Sequence, residues 1–388
     1  MNTTHRFDPL AAVQCVEDRL QVGPIARGED DNSEAAHGRI FAQPAIRGVS
    51  EFSCHMRWEN SDTPRIVGMS LLERLGVAAP VVQAGMGGGL SRHELAAAVS
   101  EAGGLGTIAV NGAAAIEREL AAARALTGRP IAVNVLLPFA RRDWFAAAGK
   151  ADVVVTFWGK PRRRTPGTWL HQCGSVAEAR AAHAAGADAA IVQGVEAGGH
   201  VRGGVPALEL LGRVKEALPS GYPLLLAGGI AERADVEAAL AAGAQAAVAG
   251  TRFLLSEESR AHPEYRQRLV VAEETILTEL FGFGWPAPHR VIANAATDRW
   301  LGGGPRGPVL NRALNGLSAP AARYMPVSTQ ARLARSQHPG SRLLSPPGPT
   351  DDGPGNLLDA GPLYAGETVA RIDDVRPAAG IVASLTPS

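Results

Sequence analysis

Eight short apolar segments recur along this 388-residue chain, and they constrain the fold more than any other feature. Each is a continuous run of small, aliphatic or β-branched residues bounded by glycine, proline or polar residues. Continuous runs are typical of strands buried on both faces, as in a parallel sheet, whereas half-exposed strands alternate apolar and polar residues. The segments begin at Pro80, Leu105, Pro130, Asp152, Thr168, Asp188, Tyr222 and Gln245.

Alanine-rich segments with helix signals separate most of these strands. Capping boxes at Ser91–Glu94 and Ser175–Glu178 predict two helix starts, because the serine accepts a backbone N–H bond and the glutamate returns one. Three glycines stand where a left-handed residue ends a helix: Gly103, Gly186 and Gly243. Eight strands joined by helical crossovers predict the α/β class and a closed (β/α)8 TIM barrel.

The rest of the chain is organised around this barrel. The crossover at 158–167 has no helical period, so the helix after the fourth strand is predicted to be missing. Residues 345–355 are dense in proline and glycine and are interpreted as a linker. The predicted parts are a poorly ordered N-terminal extension (1–65), the barrel (66–255), a smaller, mostly helical lobe with the linker (256–356) and a C-terminal segment returning to the barrel (357–388).

Composition narrows the classes of partner. Lys plus Arg and Asp plus Glu both number 38, which argues against a nucleic acid or an anionic membrane held by bulk charge. Cys15, Cys54 and Cys173 form no Cys-x-x-Cys pair, which disfavours a disulfide framework or a zinc site. With no signal-peptide pattern and no apolar run of membrane-spanning length, we expect a cytoplasmic protein that acts on a small molecule. The oligomeric state stays open.

Glycines and polar residues at the predicted C-terminal strand ends are the candidates for chemistry, because barrel enzymes build their active sites there. Gly228 and Gly229 follow the seventh strand, and Gly250 and Thr251 follow the eighth. Glycine lets backbone N–H groups approach a ligand closely, and a helix start behind it favours an anion. These residues predict a phosphate site, with tight strand-to-helix turns as the alternative.

His200 is the candidate for acid–base catalysis. It follows the glycine-rich stretch 196–199 after the sixth strand, where a flexible backbone would let the ring approach a planar ligand. A histidine near its ordinary pKa takes up a proton at neutral pH; a surface or satisfied core position is the alternative. His171, at the fifth strand end, is a second histidine expected to line the pocket. Met86 either lies against a flat ring system or packs as a core residue.

An ordered set of motifs runs through the barrel region and returns near the C-terminus. The motifs are Pro80–Gly89, Ala102–Gly106, Val133–Val135, Gln193–His200, Ala227–Ile230, Gly250–Phe253, Leu363–Gly366 and Ile372–Pro377. With this set the chain resembles the nitronate monooxygenase (2-nitropropane dioxygenase) family. The resemblance implies an FMN-dependent barrel with a smaller helical lobe. It weakens at 159–167 and 301–356, so we expect a reduced lid over the substrate.

The resemblance also implies roles for individual residues. Those that would contact the flavin are Met86, Asn134, Gln172, Gln193 and Gly194, and those that would hold its phosphate are Gly229, Gly250 and Thr251. His200 matches the family's general base, which removes the α-proton of a nitroalkane or orients a nitronate that is already ionised. The implied reaction is oxidation of an alkyl nitronate by molecular oxygen through FMN, without an external reductant, to a carbonyl compound and nitrite.

Two other functions stay open at this point. FMN- and NAD(P)H-dependent enoyl-acyl carrier protein reductases resemble the same family and share the Glu-Ala-Gly-Gly-His stretch at 196–200. The other alternative is a flavin-binding barrel that has lost turnover.

Overall fold

Eight parallel strands form the central sheet of the computed structural model, which describes residues 69–388 except 323 and 326. They are β1 (Val81–Gln83), β2 (Gly106–Ile108), β3 (Ile131–Leu136), β4 (Val153–Phe157), β5 (Thr168–Cys173), β6 (Ala189–Gln193), β8 (Leu224–Ala227) and β9 (Ala246–Ala249). The expectation for the N-terminal extension, residues 1–65, lies outside the described residues.

The sheet closes into a barrel. Its hydrogen-bonded order is β1-β9-β8-β6-β5-β4-β3-β2. A parallel bridge between Val82 of β1 and Leu105, the residue just before β2, joins the two ends of this order. All eight predicted apolar segments are strands, so the predicted (β/α)8 barrel is confirmed.

Helices fill all but one of the crossovers between consecutive barrel strands. They are α2 (His93–Glu101), α3 (Ala113–Leu126), α4 (Arg142–Ala148), α5 (Val176–Ala184), α6 (Ala207–Ala217) and α7 (Arg233–Ala241), with α1 (Leu71–Leu75) before the barrel and α8 (Thr251–Leu254) after β9. Residues 158–167, between β4 and β5, contain no helix, as the sequence predicts.

The predicted helix ends are confirmed, but one predicted start is wrong. Three glycines follow their helices with positive φ: Gly103 (93°), Gly186 (82°) and Gly243 (103°). Ser175 caps α5 by accepting the Glu178 N–H. Ser91 makes no capping box, because Arg92 is the N-cap of α2 and the Ser91 hydroxyl instead bonds both backbone groups of Met86, at 3.1 and 3.3 Å. A buried serine is thus used to hold the turn after β1.

Small residues let the helices lie directly on the strands. Val82 points into the barrel interior, where it packs with Leu71 and Leu72 of α1, whereas Val81 packs outward against the helix layer. A Cβ on Gly106 would collide with the Ala96 backbone of α2. This close packing explains the abundance of glycine and alanine in the sequence.

A smaller lobe covers the C-terminal ends of the barrel strands. It contains an antiparallel sheet in which β11 (His289–Ile292) pairs with β10 (Ile276–Thr278), with β12 (Leu363–Tyr364) and with β7 (Gly199–His200), which comes from the barrel loop after β6. Its helices are α9 (Pro263–Val270), α10 (Ala295–Trp300), α11 (Val309–Ala322), α12 (Val327–Ser336) and α13 (Leu357–Ala360).

The chain then returns to the barrel. A 3-10 helix (Glu367–Arg371) leads to α14 (Ala378–Leu385), which packs against α2 and α7 through Ile381, Val382 and Leu385. Among the helices that the structure describes, none combines the length and the apolar composition that crossing a membrane requires.

The segment interpreted as a linker is not an exposed connector. Ser345, Gly348 and Thr350 are buried, and the Tyr364 hydroxyl donates to the Pro346 carbonyl at 2.6 Å. The linker interpretation is therefore wrong for residues 345–350, whereas Asp351, Asp352 and Gly355 are exposed. Prolines restrict the backbone without preventing it from packing, so breaker residues here shape a rigid wall of the lobe.

Candidate active site

A cavity of about 880 Å³ lies at the C-terminal ends of the barrel strands. Its volume is within the range of small-molecule and cofactor sites in proteins. The barrel loops form one side, and the lobe forms the other through Phe283, Trp285, Pro346, Pro347 and Tyr364. The lobe is therefore part of the site.

All but one of the residues given a catalytic or cofactor-binding role border this cavity. They are Met86, Asn134, Gln172, Gln193, His200, Gly228, Gly229, Gly250 and Thr251. Gly194 is the exception, because it lies against the start of α6, where a Cβ would collide with Ala207 and with the Glu196 side chain. Glu196 in turn caps α6, with both carboxylate oxygens 3.0 Å from the Ala207 N–H. Packing thus accounts for a glycine at position 194.

Two amide side chains at strand ends are held by the backbone around them. Asn134 lies so close to Gly85 that a Cβ there would collide with its side chain, and its Nδ2 is 3.5 Å from the Gly85 carbonyl. Gln193 donates from Nε2 to the His200 carbonyl and accepts the Arg202 N–H, both at 3.0 Å. Gln193 therefore fixes the loop that carries His200, a role that sequence reasoning missed.

The glycine ends of β8 and β9 leave backbone exposed to the cavity. Gly228 and Gly229 have φ of 103° and 79°, in the left-handed region, and no described heavy atom lies within 4 Å of a Cβ built on Gly229. The Thr251 hydroxyl accepts the Gly366 N–H at 2.9 Å. Gly366 and Thr368 also border the cavity. Sequence reasoning assigned them no role, although Gly366 lies in one of the family motifs.

His200 is fixed by strand pairing. Its residue partner in β11 is His289, and Gly199 pairs with Arg290. The buried Arg290 guanidinium also donates to the Val195 carbonyl at 2.8 Å. The expectation of a flexible backbone before His200 is therefore wrong: the glycines provide close approach rather than mobility.

Aromatic rings surround the His200 imidazole. It stacks on Trp285 with centroids 3.6 Å apart and planes 14° apart, and the rings of His289 and Tyr364 lie 5.4 and 5.6 Å away. Its Nε2 atom is inaccessible to solvent and has no hydrogen-bond partner within the described residues. Burial, with a smaller contribution from His289, lowers the pKa of His200 well below 6.5, so the ring is neutral at pH 7.

The other two histidines near the site are structural. His171 does not border the cavity, contrary to expectation; it is buried and its Nδ1 lies 2.8 Å from the Thr156 hydroxyl. His289, the first residue of β11, is bonded to the backbone through both ring nitrogens. Burial lowers the pKa of each to about 4.

Comparison with known proteins agrees with this architecture. The profile of the family described as nitronate monooxygenase matches residues 69–154 and 163–388. The nitronate monooxygenase of Pseudomonas aeruginosa is 35% identical over 255 residues, which span 50% of this chain and 71% of that protein. A relative from Mycobacterium tuberculosis, (3aS,4S,5R,7aS)-5-hydroxy-7a-methyl-1-oxo-octahydro-1H-indene-4-carboxyl-CoA dehydrogenase, is 32% identical over 59% of this chain and 67% of its own.

Solved structures share the fold. FabK from Thermotoga maritima superimposes with a TM-score of 0.64 at 26% identity, over 81% of this chain and 93% of FabK. The nitroalkane oxidase of Streptomyces ansochromogenes gives a TM-score of 0.63 at 29% identity, over 81% of this chain and 96% of that enzyme.

Proposed function

The chain belongs to the nitronate monooxygenase family of oxidoreductases, and from this premise we propose that it binds FMN and oxidises alkyl nitronates with molecular oxygen to a carbonyl compound and nitrite. The observation that carries the proposal is His200: a neutral imidazole that borders the same large cavity as the residues predicted to bind the cofactor.

The residues of the cavity fit a flavin mononucleotide. Met86, Asn134, Gln172 and Gln193 stand at four strand ends and would border the ring system. The open glycine backbone at Gly228, Gly229 and Gly250, with the Thr251 hydroxyl, would hold a single phosphate through N–H and O–H donors. The bound flavin would supply the electron-accepting and oxygen-reactive chemistry, which no side chain provides.

The state of His200 determines which substrates suit the site. Because its pKa lies well below 6.5, the ring is available as a base at pH 7. The same burial makes the protonated ring costly, so His200 is a weaker base than an ordinary histidine. A nitronate needs no proton removed. The site is therefore suited to nitronates first and to neutral nitroalkanes second.

Two measurements test the proposal. Acid-released cofactor identified by chromatography should be FMN, because the glycine ends of β8 and β9 would form a single phosphate cradle. The Gly-x-Gly-x-x-Gly match at 302–307 follows a helix and not the strand that a dinucleotide-binding turn requires. An oxygen electrode should record oxygen uptake with propionate 3-nitronate and alkyl nitronates, with nitrite as a product. Recovery of FAD, or flavin-loaded protein without nitronate-dependent oxygen uptake, would contradict it.

Reduction of an enoyl thioester is the second candidate. The observation that favours it is the cavity itself, whose volume of about 880 Å³ leaves room for a large ligand and whose border includes Arg118 and Arg141. Both arginines are exposed and would suit the phosphates of a carrier or of a nicotinamide cofactor. The relative named as a carboxyl-CoA dehydrogenase points to the same substrate class.

Anaerobic titration separates the two candidates. Bleaching of the bound flavin by NADH or NADPH would favour the thioester reductase. Bleaching by a nitronate, with nicotinamide cofactors having no effect, would favour nitronate oxidation.

A further inference from the structure

The rings packed around His200 differ in how they are held. Both nitrogens of His289 and the hydroxyl of Tyr364 are hydrogen-bonded to backbone groups. Trp285 is only 7% exposed, yet its indole Nε1 has no hydrogen-bond partner in the described part of the chain. Trp285 is the ring stacked on His200, and no side-chain hydrogen bond anchors it in the described part of the chain.

The packing of Trp285 rests on ring contacts. Its face covers His200, and its edges meet Phe139 and Trp158 with centroids 5.5 and 5.2 Å apart. Gly284, which precedes it, has φ of 77°, a conformation that glycine adopts easily. The side chain can therefore move without breaking a hydrogen bond of its own.

His200 Nε2 cannot act in the conformation observed. A general base must come within about 2.6–3.2 Å of the proton that it removes, but Nε2 is inaccessible to solvent although the ring borders the cavity. A neighbouring group has to move before a substrate reaches it. The stacked, unanchored indole of Trp285 is the neighbour that fits this requirement.

We propose that Trp285 is a specificity-determining residue that covers His200 until a ligand displaces it, whereupon its indole N–H donates to an oxygen of that ligand. The two unpaired buried nitrogens, His200 Nε2 and Trp285 Nε1, would then both be satisfied by one molecule. Such a ligand has an oxygen acceptor next to the reacting carbon, as a nitronate or nitro group does. This inference rests on the proposed function for the identity of that ligand.

The accessibility of His200 can be measured without turnover. Diethyl pyrocarbonate acylates accessible imidazole nitrogens, and peptide mass analysis of the flavin-loaded protein gives the rate at each histidine. Trp285→Ala should speed modification of His200 by about 10-fold or more, as expected if the covered state opens only a few per cent of the time. Trp285→Phe, which keeps a stacked ring, should stay close to the parent. His338, which is exposed, serves as the internal reference in each digest.

The hydrogen bond from Trp285 is tested by kinetics. Trp285→Phe should raise KM for a nitronate about 10-fold with kcat little changed, because one donor to a charged group is lost while the ring remains. The matched control is Trp300→Phe, since the Trp300 indole N–H already donates to the Pro339 carbonyl at 2.8 Å. That control should leave both KM and the His200 modification rate unchanged.

Clear outcomes overturn the inference. Equal His200 modification in the parent and Trp285→Ala, with circular dichroism and flavin content preserved, would mean that Trp285 is not the cover. If Trp285→Ala fails to fold, Trp285→Leu keeps an apolar side chain without a stacking ring and takes its place. An unchanged KM in Trp285→Phe would remove the donor role. If no variant oxidises nitronates but His200 modification still responds, the proposed function fails and the covering role of Trp285 stands.

Discussion

At the scale of single residues, burial decides what His200 can do. The sequence alone predicts a histidine that titrates near neutral pH, whereas the folded chain surrounds it with aromatic rings and lowers its pKa. Burial in the protein interior therefore keeps the His200 ring neutral at pH 7. The role in proton transfer stays a proposal, and substitution tests it directly.

His200→Asn should separate the two substrate forms. General-base catalysis contributes roughly 10²–10⁴-fold, and only where a proton must be removed. We expect the variant to lose most turnover of neutral nitroalkanes, if the parent accepts them, while oxidation of pre-formed nitronates falls far less, because asparagine still donates a hydrogen bond. Steady-state oxygen uptake with both substrates is the measurement. Equal losses would show that His200 positions the ligand or the flavin instead of removing a proton.

Because His171 and His289 are buried and neutral, we expect the folded protein to lose stability in acid. Both stay neutral in the folded protein because burial lowers each pKa to about 4, whereas an unfolded histidine titrates near 6.5. Their stabilising contribution is complete above pH 6.5 and is lost as the pH falls from 6.5 towards 4, by on the order of 2–3 kcal/mol per histidine. Tm measured from pH 7.5 to 5 should therefore fall, and less steeply in His289→Gln. Identical slopes in parent and variant would contradict this account.

At the scale of elements, strand β7 couples the barrel to the lobe. Gly199 and His200 extend from a barrel loop and pair with β11. The residue before them, Gly198, packs just as closely. A Cβ on Gly198 would lie 2.5 Å from the Gly366 backbone nitrogen, beside the Thr251 hydroxyl that Gly366 contacts. His200, the proposed base, and the predicted phosphate site thus share one tightly packed backbone junction.

Gly198→Ala should disturb that junction. The added methyl group would force the His200 loop away from Gly366, and overpacking of this kind costs about 1–3 kcal/mol. We expect weaker FMN binding and a lower Tm, measured by flavin release on dilution and by thermal unfolding. Gly204→Ala is the control in the same loop, because no described atom lies within 4 Å of a Cβ there. Equal flavin retention in both variants would show that the junction tolerates the methyl group.

At the scale of the whole molecule, the cavity needs both the barrel and the lobe. The lining residues that the structure describes run from Ala84 to Thr368 and come from the barrel, the lobe and the C-terminal segment. We therefore propose that the barrel (66–255), the lobe (256–356) and the C-terminal segment (357–388) act as one unit. From its weak apolar pattern, we also propose that the extension (1–65) is dispensable.

Two truncations test this division. A chain beginning at Met69 should keep FMN and activity, since residues 1–65 lack the periodic apolar pattern that would let them bury a face. A chain ending at Pro377 should lose stability, because it removes α14, whose buried Ile381 and Leu385 pack on the barrel helices. Flavin content and thermal unfolding are the measurements. Loss of FMN in the first truncation would place the extension in the site.

Local patterns were enough to predict the barrel and the strand ends that border its cavity. A continuous apolar run identifies a buried parallel strand, and a glycine after a helix marks a left-handed end, because both signals depend only on neighbouring residues. The C-terminal strand ends of a parallel barrel meet at one face, so the polar and glycine residues there were predictable as a group. Gly229 was found in this way. Met86, Asn134 and Gln172 received their expected flavin roles from the family resemblance, and all four residues border the cavity.

Only the tertiary structure decided the surroundings of these residues. Trp285 and His289 lie more than eighty positions after His200, and their contact with it depends on the pairing of β7 with β11. The same holds for Gly194 and Ser91. Gly194 packs against α6, and Ser91 holds the turn after β1, in place of the roles predicted for them. The physical reason is that periodicity reports which face of an element is buried, whereas a pKa, a stacked ring or an unpaired N–H depends on which distant side chain arrives there.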